Sequence, residues 1–273
     1  LTDDPIWDRL DPRARRRSVL VGRTVDVGLP TAAFTLDASP GRHLAVLGTS
    51  DVAADVLHAA VLGLARQHDP GRATFVLAGL VAASDEAADA AAEAVRAAGH
   101  QCSEVELTGL RDVLGRLAHP GSAVGGDLDA QLEALTAGMS PDGGPEATYV
   151  VIWGADTAGA ALRAARDPIT DRTGLDDLKT VLQEGPSRNV HLIGWWRVVR
   201  RFTDDLGSSG KDDVAGLVAL NVTAKDLGNL VGNYLLEWQP RQNRALFVDQ
   251  HEDRTSLIVP YVRRSALDPG ALR

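Results

Sequence analysis

The sequence predicts an α/β fold built on a mainly parallel sheet with helices on both faces, and three observations lead there. Short apolar runs alternate with helix-period segments through the middle of the chain. The runs are apolar throughout, as strands covered on both faces require, and do not alternate apolar with polar. No internal repeat and no long low-complexity linker breaks the order.

Before that alternation, VLVGRTVDVG alternates apolar with polar positions, Leu29-Pro30 interrupts it and AAFTLD follows, so a β-hairpin is expected ahead of the main domain. HLAVLG (43–48) reads as a short buried strand. Residues 51–68 read as a helix, with Val52, Val56, Ala59, Ala60 and Leu64 in its apolar pattern. ATFVLAG (73–79) is a strand, an alanine-rich helix runs from about Ser84 to Ala98, SEVEL (103–107) is strand-like and 109–118 is helical. Between His119 and Glu146, two glycine-rich stretches bracket one short helix and read as a surface excursion. ATYVVIW (147–153) is the most hydrophobic strand, 155–166 and 173–184 are helices, and NVHLIGWW (189–196) is another buried strand. An arginine-bearing stretch and a loop, TDDLGSSGKDD, come next. The remainder holds VAGLVALNV, a short helix around Ala224 to Leu230, and YLLEWQP, NRALFVD and TSLIVPY, spaced like a terminal antiparallel meander. The expected divisions are a leader and hairpin (1–40), the α/β domain (41–265) and a tail (266–273).

The chain has 273 residues, enough for one large domain or two small ones. Its 37 acidic against 28 basic residues give a net charge of −9, which excludes a generally basic DNA-coating protein. One cysteine, Cys102, forms no internal disulfide, and no apolar run approaches the ~20 residues that span a bilayer. The N-terminal residues lack the apolar core of a signal peptide. A soluble, cytoplasmic segment of a longer protein is expected, with membrane association only through other parts of that protein. Lysine occurs only at 179, 211 and 225. Such a lysine-poor, Ala-, Gly- and Arg-rich composition typifies GC-rich genomes, but it also forbids a mechanism that needs an early lysine.

In an open α/β sheet, ligands bind at the carboxyl ends of the strands, where a turn feeds a helix N-terminus. HLAVLG-TSDVAAD-VLHAAVLGLA has that architecture. Its order and spacing resemble the ATPase domain of the FtsK/SpoIIIE family, in which a similar strand enters the P-loop GxxxxGK[ST]. TYVVIWGAD takes the place of the strand that ends in the Walker B acidic pair, SRNVHLIGWWR resembles the family's HLI stretch, and GLVALNVTAKDLGNLVG resembles a later segment. The resemblance covers most of the chain and implies a P-loop NTPase fold of the RecA/ASCE type.

The chain departs from the family at each chemical position. Aligning Gly48 with the first P-loop glycine puts Ala53 at the second glycine, Ala54 at the lysine and Asp55 at the Ser/Thr that holds Mg²⁺. The family's lysine neutralises β- and γ-phosphate charge, while the hydroxyl and the Walker B acid complete the metal site. Trp153 and Gly154 replace that acidic pair. Thr49, Ser50 and Asp51 complete the loop, with Ser50 or Asp51 readable as an ordinary N-cap. Asp51 and Asp55 add negative charge where a polyanion would sit, although acids also suit a first helical turn. The Gly210-Lys211 pair is no second P-loop, since Asp212 replaces Ser/Thr and no buried strand precedes it.

Trp195 and Trp196 stand where the family carries a polar sensor. These indoles and Trp153 either pack as ordinary core or fill the vacated nucleotide hole. His43 and His191, at equivalent strand starts, are read as strand-end hydrogen-bonding residues, because no metal-ligand cluster accompanies them. Arg197, Arg200 and Arg201 form a basic patch that either acts in trans on a phosphate or on DNA, or is a solvated helix face.

The resemblance therefore implies a catalytically inactive module of a larger motor. No residue is assigned a catalytic or metal-binding role, and no cofactor is expected. Its implied partners are other ATPase domains of the same chain or a hexameric ring, and a protein substrate; DNA is less well supported by the charge. The alternative is an active DNA translocase with displaced residues, Arg197 as phosphate cation and Asp156 as metal carboxylate, and only this reading calls for ATP and Mg²⁺. A Rossmann dinucleotide enzyme fits less well, because GTSDVA lacks the GxGxxG spacing.

Overall fold

The computed structural model describes residues 1–14, 16–120, 146–164, 166 and 171–263. The glycine-rich excursion, apart from its ends, and the tail lie outside the described residues. In chain order the strands and helices are β1 (Arg17–Thr24), β2 (Thr31–Leu36), β3 (Leu44–Leu47), α1 (Val52–Arg66), β4 (Ala73–Gly79), α2 (Asp85–Ala97), β5 (Gln101–Glu104) and α3 (Leu107–Ala118). After the excursion come β6 (Ala147–Trp153), α4 (Ala155–Ala164), α5 (Gly174–Glu184), β7 (Val190–Trp196), α6 (Val199–Gly210), β8 (Gly216–Ala219), α7 (Ala224–Val231), β9 (Ala245–Asp249) and β10 (Arg254–Pro260).

All ten strands join one sheet in the order β2-β1-β10-β9-β8-β3-β7-β6-β4-β5. The six from β8 to β5 are mutually parallel, and β9, β10, β1 and β2 extend them antiparallel. This is the predicted fold class. Each face of the sheet has its own core: α1 and α2 cover one, and α3 to α7 cover the other. β3 and β7 are buried at every position, because side chains alternate between two faces that are both covered.

The expected N-terminal hairpin is β1-β2, and Gly22, Arg23 and Thr24 of β1 pair in addition with Pro260, Val259 and Ile258 of β10. Three expectations need correction. The strand expected at 103–107 lies at 101–104, because Leu107 already begins α3. TDDLGSSGKDD is not a loop: Phe202 and Leu206 bury one face of α6, which kinks at Gly207 (φ +79°), and Lys211–Asp213 form a 3-10 turn. YLLEWQP is not a strand. It runs irregularly between α7 and β9, and the meander is β8-β9-β10.

The amino ends of the parallel strands carry buried histidines, as expected for His43 and His191. Leu192 N–H donates to His43 Nδ1 (2.8 Å), so His43 Nε2–H donates to Leu182 O (2.9 Å) and both nitrogens of the neutral ring are used. His191 Nδ1 bonds Arg42 O (2.8 Å), its ring stacks on Tyr149, and Tyr149 Oη bonds His68 Nε2 (2.8 Å). Burial holds the His43 imidazole down to about 3, and His191 and His68 down to about 4.

These shifts fix the acid limb of stability. The unfolded chain protonates its imidazoles near pH 6.5, the folded one only near pH 4 or below. Between those values the unfolded state binds more protons, so stability is lost as pH falls through the window. Each histidine adds a slope of up to about 1.4 kcal/mol per pH unit. Asp205 and Asp213, whose carboxyls burial pushes up, titrate in the opposite sense and soften the fall. Urea unfolding from about pH 7.5 to about 4.5 should show a plateau followed by this decline, and His191→Gln should flatten the slope.

Candidate functional site

The carboxyl ends of β3, β6 and β7 meet the N-terminus of α1, and this edge holds most of the residues singled out in the sequence. Gly48 ends β3 with φ +117°, and a Cβ there would lie 3.2 Å from the Leu220 carbonyl. Only glycine suits both the torsion and the close approach of Leu220, just past β8. Its N–H donates to Trp196 O (3.0 Å), which continues the β3–β7 ladder past the strand end. Thr49 Oγ1 accepts from Asn221 Nδ2 (3.2 Å), tying the loop to the residues after β8.

The start of α1 is closed inward. Ala53 N–H donates to Ser50 O and Ala54 N–H to Asp51 O, both at 3.0 Å, so two first-turn amides complete local turns. Asp51 occupies the N-cap position, one of the two that the sequence offered, but makes no side-chain capping bond. The sequence-based capping reading is corrected in that respect. Ala53 and Ala54 are buried against the sheet. Asp55, also buried, accepts from Arg263 Nε (2.6 Å), whose Nη2 lies 3.7 Å from Glu86.

Trp153 and Trp195 are partners in the parallel register of β6 and β7 and face the α1 side of the sheet. Trp153 Nε1–H donates to Ala54 O (3.1 Å) and Trp195 Nε1–H to Gly48 O (2.8 Å). The two indoles thus hold the carbonyls at either end of the strand-loop-helix segment from beneath. Trp196 points to the opposite face, edge-on to Phe202 with ring centroids 5.0 Å apart. Its ring folds back over Gly194, where a Cβ would come within 2.5 Å of it. Of the three tryptophans grouped in the sequence, then, two meet the loop and the third does not.

Arg197 grips Asp156 with Nε 3.2 and 3.0 Å from the two carboxylate oxygens, and its Nη2 reaches Asp156 Oδ2 (2.9 Å) and Thr157 Oγ1 (2.8 Å). Gly154 turns the chain between Trp153 and that carboxylate with φ +86°. Arg200 and Arg201 lie exposed on α6, and Arg200 Nε is 3.7 Å from Asp204. Lys211 lies away from any P-loop geometry and donates from Nζ to Leu230 O (3.5 Å).

Of the residues that the sequence aligns with the P-loop lysine and Ser/Thr, Ala54 is buried and Asp55 is paired with Arg263, while Asp156 is paired with Arg197. Sequence reasoning missed Arg263, which lies 208 positions from Asp55 and carries no motif that would point there. It named Asp156 and Arg197 separately without their pairing. Among the described residues no group of three His, Cys, Asp or Glu side chains could hold a metal ion, and no helix is long and apolar enough to cross a membrane.

Comparison with family models and with curated protein sequences finds no match. Solved structures do match. ATPases 2 and 3 of Thermomonospora curvata EccC, in complex with a signal sequence peptide, superpose with TM-score 0.60 at 15% identity, over 93% of this chain and 42% of that one. EssC ATPases 2 and 3 from Geobacillus thermodenitrificans give 0.57 at 10%, over 91% and 45%. The pCW3 conjugation coupling protein TcpA, in a monomer form with ATPγS, gives 0.58 at 14%, over 95% and 68%. At these identities the similarity is one of fold. The chain has the fold of FtsK/SpoIIIE-type motor ATPase domains, and it spans less than half the length of the EccC and EssC chains.

The indole bonds generate a stability test. Trp195→Phe leaves the buried Gly48 carbonyl without its donor, which costs on the order of 1–3 kcal/mol, whereas Trp153→Phe removes a second donor from Ala54 O, which still accepts within α1, and costs less. Urea unfolding of each variant should show its loss, larger for Trp195→Phe than for Trp153→Phe.

Proposed function

We propose that this chain is a non-hydrolysing module of a larger FtsK/SpoIIIE-like motor, acting in ring assembly, regulation or the binding of a partner or substrate. The observation that carries the reading is the state of the strand-loop-helix segment. Its end carbonyls are taken by Trp195 and Trp153, and Asp55 sits in its first helical turn paired with Arg263. Phosphoryl transfer needs a cation, a metal site and a positioned nucleophile acting together, and the residues here supply none of the first two in usable form.

The fold similarity supports a motor-domain setting. EccC and EssC were solved with two ATPase domains in one chain, and EccC with a signal sequence peptide. A module beside active ATPase domains, cytoplasmic and in contact with a protein substrate, follows by analogy. The acidic balance of −9 and the neutralised Arg197 favour protein over DNA as its partner.

Calorimetry with ATP and Mg²⁺ tests this reading against an active translocase. No binding is expected up to about millimolar nucleotide, and micromolar affinity would overturn the proposal. Ala54→Lys combined with Asp55→Ser restores the missing groups by name. It should still bind ATP no better than about millimolar while Trp153 and Trp195 hold the loop.

A further inference from the structure

Exposed apolar side chains concentrate on the antiparallel part of the molecule. Among the described residues the large hydrophobic side chains open to solvent are Val25, Val27, Leu29, Val198, Tyr234, Leu235, Leu257 and Val259. All but Val198 belong to the leader hairpin or to the chain after α7. Leu257 and Val259, two apart on β10, point to the same side of the sheet, and the register sets Leu257 opposite Leu246 of β9.

Beside them Leu236, Trp238, Leu246 and Leu257 line a groove of about 640 Å³, a volume typical of binding clefts. Trp238 is fixed there by its indole N–H, which donates to Val222 O (2.8 Å). Tyr234 and Leu235, 82% and 90% exposed, immediately precede Leu236. Single exposed apolar residues are ordinary; a cluster beside an apolar groove marks a contact surface.

The rim adds charge. Arg241 and Arg244 line the groove together with Glu237, and neither arginine makes an ion pair among the described residues. Two arginines against one glutamate leave the lining positive above a tryptophan and three leucines, which matches a ligand with both apolar and carboxylate groups. Two cations are too few for a nucleic-acid backbone, which repeats its charge along every nucleotide.

We infer that this groove docks a segment of another polypeptide, whose apolar side chains enter the cleft over Trp238 and whose carboxylates meet Arg241 and Arg244. The net charge of the chain does not prevent this, since repulsion is screened beyond about 8 Å at physiological salt. The inference gives the partner-binding role proposed above a surface and a chemistry, and rests on that role alone. It does not depend on the state of the loop at Gly48.

A phage-displayed library of random dodecapeptides, selected on the intact chain, tests it. Recovered peptides should combine Asp or Glu with Leu, Phe or Trp and bind in fluorescence anisotropy with micromolar Kd. Affinity should fall at least tenfold on Arg241→Glu with Arg244→Glu, and on Leu257→Asp, in variants whose circular dichroism melts match the parent. Failure to recover peptides, recovery of peptides without carboxylates, or affinity indifferent to these substitutions overturns the inference. So does self-association in sedimentation that Leu257→Asp abolishes, because a second copy would then be the occupant. ATP calorimetry on the same sample separates failure of this docking from failure of the non-hydrolysing reading.

Discussion

A parallel sheet buried on both faces must satisfy, from within the protein, the main-chain polar groups at and beyond its strand ends. An unpaired buried carbonyl or amide costs about as much as a lost hydrogen bond or more. Here the two edges use different rings. At the amino edge, His43 and His191 bond Leu182 O, the Leu192 amide and Arg42 O. At the carboxyl edge, Trp195 and Trp153 bond Gly48 O and Ala54 O. The imidazole accepts and donates, and so serves an edge where both kinds of group are exposed. The indole only donates: Trp195 serves the carbonyl left over at Gly48, and Trp153 adds a second donor to Ala54 O, which already accepts within α1.

The second consequence of burial is that charge near the loop is cancelled in pairs. Asp55 meets Arg263, and Asp156 meets Arg197 in a close two-oxygen contact. Such pairs cost desolvation and gain little net stability, but removing one partner leaves an uncompensated buried charge. The paired arrangement therefore resists piecemeal change. It also leaves Asp55 and Asp156 each committed to an arginine.

Much of the fold was legible because its signals are local and repeated. The apolar runs at 44–47, 73–79, 147–153 and 190–196 are too uniformly hydrophobic for anything but two-sided burial, and the helices between them carry clear apolar stripes. What failed were segments in which local composition and tertiary context disagree. Gly207 to Gly210 reads as a loop, yet Phe202 and Leu206 anchor the preceding turns against the sheet. YLLEWQP has the composition of a strand, yet Trp238 spends its indole on Val222 O and takes the chain out of the sheet. At the loop, Gly48 to Asp55 could be placed by alignment, but the side chains that meet it could not. Arg263 and Asn221 reach it from far along the chain with no spacing to announce them, and Trp196 is separated from Trp195 only by the alternation of side chains across a strand.

The leader hairpin has a consequence in time as well as space. β1 lies between β2 and β10, so its inner edge finds its partner only when residues 258–260 have been made, more than 230 positions later. At roughly 5–20 residues per second, translation would leave β1 without that neighbour for some ten to fifty seconds. Contacts of such sequence separation are also slow to close in a free chain. Until then Val19, Val21 and Phe34, buried in the finished protein, have β2 and α1 to pack against, with Gln67 bonded to Ser18, but no strand on the inner edge of β1. The hairpin, made well before the strand that completes its pairing, is thus among the last parts of this segment to be secured, and is where a chaperone or a neighbouring nascent chain would find it still open.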